Sequence, residues 1–156
     1  MLATRKSALD RQAASPLVGK AAPPISGTSI TDGKPFDLTS VHGRFTLVNF
    51  FASWCVPCQQ EQPQLVQWAH EDPTHALVGV LFSDTAGPAR AYLSANAGDW
   101  PVLADPSGQL ALNYGVRGPP ESYFLSRDGE VLYKFVGGVT AAGLDHLVTQ
   151  ARAAGY

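Results

Sequence analysis

Only two cysteines occur in this chain, and two residues separate them. A scaffold held by several disulfides is therefore excluded. Nor is one needed: a 156-residue chain is one domain by length and buries roughly two thirds of its unfolded surface. Charge is sparse as well, at 15% of residues with a net of −2. The basic residues are scattered, and their densest group is Arg5, Lys6 and Arg11 near the N-terminus. Without a clustered basic surface, nucleic acid is excluded as a partner. No apolar run reaches the length of a membrane-spanning helix. Residues 1–22 also lack the apolar middle of a signal peptide. What remains is a globular composition, 45% hydrophobic, with no internal repeat. The polar, Ala-rich residues 1–18 read as a linker or tail of the kind that follows a membrane anchor, here cut away upstream. Residues 19–156 read as a single domain.

Pro23 and Pro24 mark the entry to that domain, and "PFDLTSVHG" reads as a short strand and a turn. "FTLVNFF" (45–51) is a continuous apolar run with one Asn, as expected of a strand buried on both faces. Residues 55–72 read as a helix with Leu65, Trp68 and Ala69 on its apolar face, and Pro63 is expected to kink it. "HALVGVLF" (75–82) is a second buried strand. Residues 87–98 form a helix stopped at Gly98, "WPVLAD" a short strand, and "SGQLALNYG" a short helix closed by Gly115. "SYFLSRDGEVLYKFVGG" is a hairpin whose Asp128-Gly129 pair suits a type I′ turn. Residues 141–154 close the chain as an amphipathic helix bearing Leu144, Leu147, Val148 and Ala151. The order β-α-β-α-β-α-β-β-α predicts an α/β sheet with helices on both faces, mixed because of the final hairpin.

The two cysteines, Cys55 and Cys58, lie in "NFFASWCVPCQQEQP" (49–63). With His70 and His75 they spell C-x₂-C-x₁₁-H-x₄-H, close to a zinc-finger spacing. The context argues against zinc. The cysteines follow a buried strand and begin a helix, Pro73 separates the histidines, and a domain of this size folds without metal. His70 and His75 are expected on the surface at a helix end. A c-type haem site needs C-x-x-C-H, and residue 59 is Gln. A thiol peroxidase wants Thr or Ser three residues before its cysteine and Pro seven before. Those positions hold Ala52 and Val48 for Cys55, and Cys55 and Phe51 for Cys58. A purely structural disulfide closing so small a loop removes little chain entropy.

C-x-x-C where a buried strand meets a helix points to redox chemistry. At the helix N-terminus, free N–H groups and the helix dipole favour an anion. Cys55 is placed there, and its thiolate, the attacking form, is favoured below the free-thiol pKa of about 8.5. Cys58 lies one turn on, within reach of a mixed disulfide. Pro57 fits the first turn, where its missing N–H is not needed.

"FTLVNFFASWCVPCQQEQP" resembles the active-site segment of thioredoxin-like thiol–disulfide oxidoreductases. The branch it most resembles is that of the cytochrome c maturation reductases (CcmG/DsbE type) with their ResA and TlpA relatives. The resemblance spans residues 16–154, through "SPLVGKAAPPI", "VLADPSGQLALNYGV" and "GVRGPPES". It implies a thioredoxin-like fold, with a mixed central sheet flanked by helices, an N-terminal β extension and an insertion within the core. It implies an exposed nucleophile at Cys55, a buried resolving thiol at Cys58 and a cis-proline at Pro120 facing them. Glu61 matches the family's active-site acid, and Glu121 follows the cis-proline as in the cytochrome c maturation group. Ordinary thioredoxins carry a buried Asp where Asn49 stands. Asn cannot titrate, so the resolving thiol's proton falls to Glu61 or Glu121, unless these are solvated surface carboxylates.

Substrate contact is assigned to Trp54, Pro57, Pro119 and Pro120. Pro119 departs from the fold's habit: it has no N–H, so docking by strand addition loses about one hydrogen bond, roughly 1 kcal/mol. The implied activity is reduction of the C-x-x-C-H disulfide of apocytochrome c, by a monomer on the periplasmic face anchored through an N-terminal segment. Electrons would come from a membrane thiol–disulfide carrier, with no cofactor beyond the Cys55–Cys58 pair and no metal. The alternatives are a general reductase of exported disulfide proteins, or a copper-site assembly or metal-binding module using the dithiol as soft ligands.

Overall fold

The computed structural model describes residues 11–156; Arg5, Lys6 and the rest of residues 1–10 lie outside it. Strand β4, Phe45–Phe51, is buried along its whole length. Its side chains alternate between two cores, as the pleat of a strand requires. Phe45, Leu47 and Phe51 join one apolar cluster, and Val48 and Phe50 join the other. Strand β5, His75–Leu81, is equally buried and pairs parallel with β4. A parallel pair needs a long crossover, supplied by helix α1, Val56–Glu71, which runs through Pro63 without a break.

After β5 the chain forms α2 (Ala86–Ala95), β6 (Val102–Leu103) and α3 (Gln109–Tyr114). Strands β7 (Glu121–Leu125) and β8 (Val131–Val136) make the expected hairpin, and α4 (Ala141–Ala153) closes the chain. The first core gathers Leu65 and Trp68 of α1, Ala89 and Leu93 of α2, and Leu144 and Leu147 of α4. The second takes Ala111 and Tyr114 of α3. Helices thus cover both faces of a mixed sheet ordered β1-β8-β7-β4-β5-β6. Here β1 is Gln12–Ala13, antiparallel to β8. It falls within the segment read as tail, which therefore supplies a two-residue edge strand. A separate hairpin, β2 (Ser26–Thr28) with β3 (Pro35–Asp37), completes the N-terminal β extension. The fold is thioredoxin-like.

Three local expectations need correction. The β7–β8 turn is not type I′, because Gly129 has φ +83° while Asp128 has no positive φ. Instead the Gly129 N–H donates to the Ser126 carbonyl, and the strands shift register after Phe124, as in a turn that ends in a glycine bulge. Helix α2 stops at Ala95 rather than at Gly98. Gly98 is small for packing: a Cβ there would sit 2.5 Å from Leu93 Cδ2. His75 is buried rather than exposed. Its ring stacks on Trp68 with centroids 4.3 Å apart, and its Nδ1 lies 2.8 Å from the Trp68 carbonyl. A ring that donates one N–H to a carbonyl and stacks with the other face buried behaves as a core aromatic.

Gly79 in β5 sits between Phe51 and Val102, each 2.9 Å from where a Cβ would stand. Gly79→Ala is therefore expected to overpack the first core and cost about 1–3 kcal/mol, read as a lower urea midpoint with an unchanged slope.

Candidate active site

The buried strand β4 carries the chain to Ser53 and Trp54, and Cys55 caps α1. Two bonds fasten this approach to the loop after β5. The Ser53 N–H donates to Asp84 Oδ2 at 2.7 Å, and Trp54 Nε1 donates to the Ser83 carbonyl at 3.0 Å. Trp54 stays 56% exposed, as befits a contact residue, and Pro57 lies in the first turn of α1, also exposed.

Cys55 and Cys58 form a disulfide with Cα atoms 5.2 Å apart. The Cys55 Sγ accepts the Cys58 N–H at 3.2 Å, so this sulfur stands where the helix N-terminus presents its free donors. The expected contrast in exposure is absent in the disulfide form: Cys55 is 3% and Cys58 2% exposed. In this form both cysteines pack against the first core. The asymmetry between the two thiols is one of position on the helix, not of cover.

Glu61 lies one turn beyond Cys58 and is 4% exposed, not solvated. Its Oε1 accepts from Asn49 Nδ2 at 2.9 Å, and its Oε2 accepts the Val139 N–H at 3.0 Å. Burial pushes this carboxyl up to about 7, although Val139, Asn49 and the Arg11 charge pull the other way. Arg11 reaches the site by donating to the Gly138 carbonyl at 2.6 Å. Arg11, Asn49 and Val139 are partners that the sequence motif does not reveal. In the sequence Asn49 stands out only as a group that cannot titrate.

The Pro119–Pro120 peptide is cis. Strand β7 begins at the next residue and pairs with β4 so that Glu121 lies opposite Phe50. Pro120 is thereby brought to the end of β4 that leads into Cys55. Glu121 is buried, yet its oxygens are engaged elsewhere: Oε2 accepts from the Arg117 and Gly118 N–H groups at 2.6 and 2.9 Å, and Oε1 faces Lys134 Nζ at 3.1 Å. Of the two buried carboxyls, Glu61 has neutral donors at both oxygens, whereas Glu121 has the Lys134 ammonium beside it.

The residues weighed as zinc ligands are not gathered. The cysteines are bonded to each other, and His70 pairs with Asp99 at 2.9 Å. A different trio, Glu71, His75 and Asp145, brings its ligand atoms within 4.8 Å of one another. The Glu71 carboxyl is pushed up to about 7, first by its hydrogen bond to Asp145. This trio lies at the far end of α1, sixteen residues or about 24 Å from Cys55 along the axis.

A profile of the redoxin family matches residues 17–148. The chain belongs to the redoxin family. It is 39% identical over 106 residues to the thiol:disulfide interchange protein CycY of Rhizobium leguminosarum bv. viciae, covering 67% of this chain and 56% of that protein. It is 35% identical over 127 residues to a DsbE homolog of Paracoccus denitrificans, covering 79% and 68%. The chain thus spans between about half and two thirds of the length of these relatives. A crystal structure of a DsbE-type thiol:disulfide interchange protein from Chlorobium tepidum superposes with a TM-score of 0.73 at 30% identity, covering 88% and 96%. With these relatives and its own Cys55–Cys58 disulfide, the chain is a thiol–disulfide oxidoreductase of the DsbE type.

Two outcomes follow from this geometry. In the reduced protein, Cys55 at the helix N-terminus is expected to be alkylated faster than Cys58 at neutral pH; the reverse order would exchange their roles. For Glu61, the folded carboxyl titrates at about 7 against an ordinary 4.5. Between those pH values the folded state holds a proton that the unfolded state has released. Its contribution is full below about pH 4.5 and is lost as pH rises through 7, by ~3 kcal/mol. Glu61→Gln is expected to flatten that part of the slope, measured as urea midpoints from pH 5 to 8. Parallel curves for variant and wild type would show that Glu61 does not hold the proton.

Proposed function

We propose that this protein reduces the C-x-x-C-H disulfide of apocytochrome c on the periplasmic face, drawing electrons from a membrane thiol–disulfide carrier. The observation that carries the exchange chemistry is a buried acid near neutrality, Glu61, one helical turn behind a disulfide at a helix N-terminus. The choice of substrate is supported by the "GVRGPPE" loop and by relatives named DsbE. Among the described residues no helix is long and apolar enough to cross a membrane; the anchor belongs to the proposal.

In this reading the Cys55 thiolate attacks one sulfur of the substrate disulfide, and the other leaves as a thiolate. A mixed disulfide joins Cys55 to the substrate. The Cys58 thiol then gives its proton to the Glu61 carboxylate and attacks Cys55, releasing the second substrate thiolate. The proton held by Glu61 passes on to a released thiolate or to water. Two electrons have moved to the substrate, and the protein is left as the Cys55–Cys58 disulfide. A carboxyl near 7 both accepts and returns a proton without a large penalty either way. A second reading, a general reductase of exported proteins, uses the same exchange steps: the one main-chain acceptor that Pro119 offers a docked chain reads no side chain.

Cys58→Ser protein is expected to accumulate a mixed disulfide with an oxidised C-x-x-C-H peptide, because no third cysteine exists to release it. Cys55→Ser protein should trap much less. Offered with an unrelated peptide disulfide of equal potential, the C-x-x-C-H peptide should dominate, as read by mass under non-reducing conditions. Equal trapping of both favours the general reductase. A reduction potential near about −120 mV, the strongly oxidising end of this fold, would rule out the reductive direction altogether.

A further inference from the structure

The loop that carries the cis peptide, Gly115–Pro120, has no regular structure of its own, and side chains from β7 and β8 hold it. Glu121 binds the N–H groups of Arg117 and Gly118. Lys134 of β8 is only 8% exposed. Its Nζ lies 3.1 Å from Glu121 Oε1, donates to the Gly115 carbonyl at 3.2 Å and stands 5.4 Å from the centre of the Tyr123 ring. The Tyr123 hydroxyl donates to the Tyr114 carbonyl just before the loop. After the loop, the Gly137 N–H donates to the Pro120 carbonyl at 2.8 Å. Burial draws the Lys134 ammonium down, but the Tyr123 hydroxyl and Glu121 more than reverse this and leave it above its ordinary value. Lys134 and Glu121 thus form a close pair removed from water, a setting in which losing one partner leaves the other uncompensated.

We propose that Lys134 is a positioning residue for exchange with polypeptide disulfides: through Glu121 and Gly115 it fixes the Pro119–Pro120 peptide against which a substrate chain lies. This rests on the reading that a polypeptide docks at this loop. Pro119 offers a docked chain its carbonyl alone, so the placement of that one acceptor decides how well the chain is held. A hydrogen bond weakens steeply with angle and distance, and no neighbouring N–H compensates at Pro119. A small disulfide makes no strand contact and needs only access to the Cys55 sulfur. Lys134 thus separates two classes of substrate that the cysteines alone treat alike.

The test uses the full chain, reduced, as wild type, Lys134→Met and Lys134→Arg. Three oxidants are offered: the C-x-x-C-H peptide disulfide, an unrelated cyclic peptide disulfide and hydroxyethyl disulfide. Lys134→Met is expected to lose roughly tenfold in kcat/KM on both peptides, mostly through KM, as for one lost docking bond. Its rate with hydroxyethyl disulfide should match wild type. Lys134→Arg should recover most of the loss. Hydrogen exchange at the Arg117 and Gly118 amides should quicken in the Met variant. If Met does not fold, Lys134→Gln, which keeps a polar end without the charge, is read against the same expectations. Equal losses on peptides and hydroxyethyl disulfide, or no loss on any, overturn the proposal. If wild type does not prefer the C-x-x-C-H peptide, the cytochrome reading fails, but the contrast between peptides and small disulfide still decides the role of Lys134.

Discussion

A single side-chain amide holds the site together. Asn49 has two N–H bonds to give, and it gives one to Glu61 on α1 and the other to Ser122 on β7, both at 2.9 Å. The amide sits on the first-core face of the central strand, where an unpaired polar group would cost about 1–3 kcal/mol. Because both partners are required, the helix that carries the cysteines and the strand that follows the cis-proline are locked to the same residue of β4. An Asp at this position would bring a second carboxylate against Glu61 and raise the cost of ionising either. Asn instead lowers the cost of ionising Glu61 while leaving burial to dominate. The result is one titratable group behind the disulfide rather than a coupled pair.

The two carboxylates of the site motif consequently have separate fates. Glu61 has neutral donors on both oxygens, and burial raises its proton affinity. Glu121 has two backbone N–H groups and a buried ammonium, so its surroundings are built for a charge. Sequence position alone treats them as equal candidates, since each lies near a site landmark. The deciding information is which cation stands beside each, and Lys134 comes from a strand thirteen residues after Glu121. No local motif links them; only the antiparallel register of β7 and β8 does.

The elements that proved legible from sequence are those written in local pattern. The apolar run of β4 ends where its pattern predicts, because Arg44 before it and Ser53 after it bound the run even though Thr46 and Asn49 lie within it. The strand–helix junction placed Cys55 as the cap of α1 for the same reason. Features set by distant partners were not legible. His75 is polar by type but is buried because Trp68, one helix earlier, offers both a ring to stack on and a carbonyl to bind. Asp128-Gly129 has the composition of a type I′ turn, yet the bulge after Phe124 changes the strand offset and leaves only Gly129 needing a positive φ. The Gln12–Ala13 strand has no periodicity to announce it. The cover over Cys55 comes from the packed first core around it, which the local motif does not describe.

The burial that raises the proton affinity of Glu61 depends on segments distant in the chain: Val139, packed against its Oε2, is 78 residues from it, and Ser122 is 73 from Asn49. The cysteines and their helix, by contrast, are local, and the thiols exist as soon as residue 58 has been made. A chain synthesised only as far as α2 therefore has both sulfurs but an ordinary, solvated carboxyl at Glu61. Long-range pairings of this kind form late in folding, so the protonic half of the site arrives after the thiol half. On the proposed mechanism, full exchange activity is a certificate of completed folding: a nascent or misfolded copy carries both cysteines without the buried acid behind them.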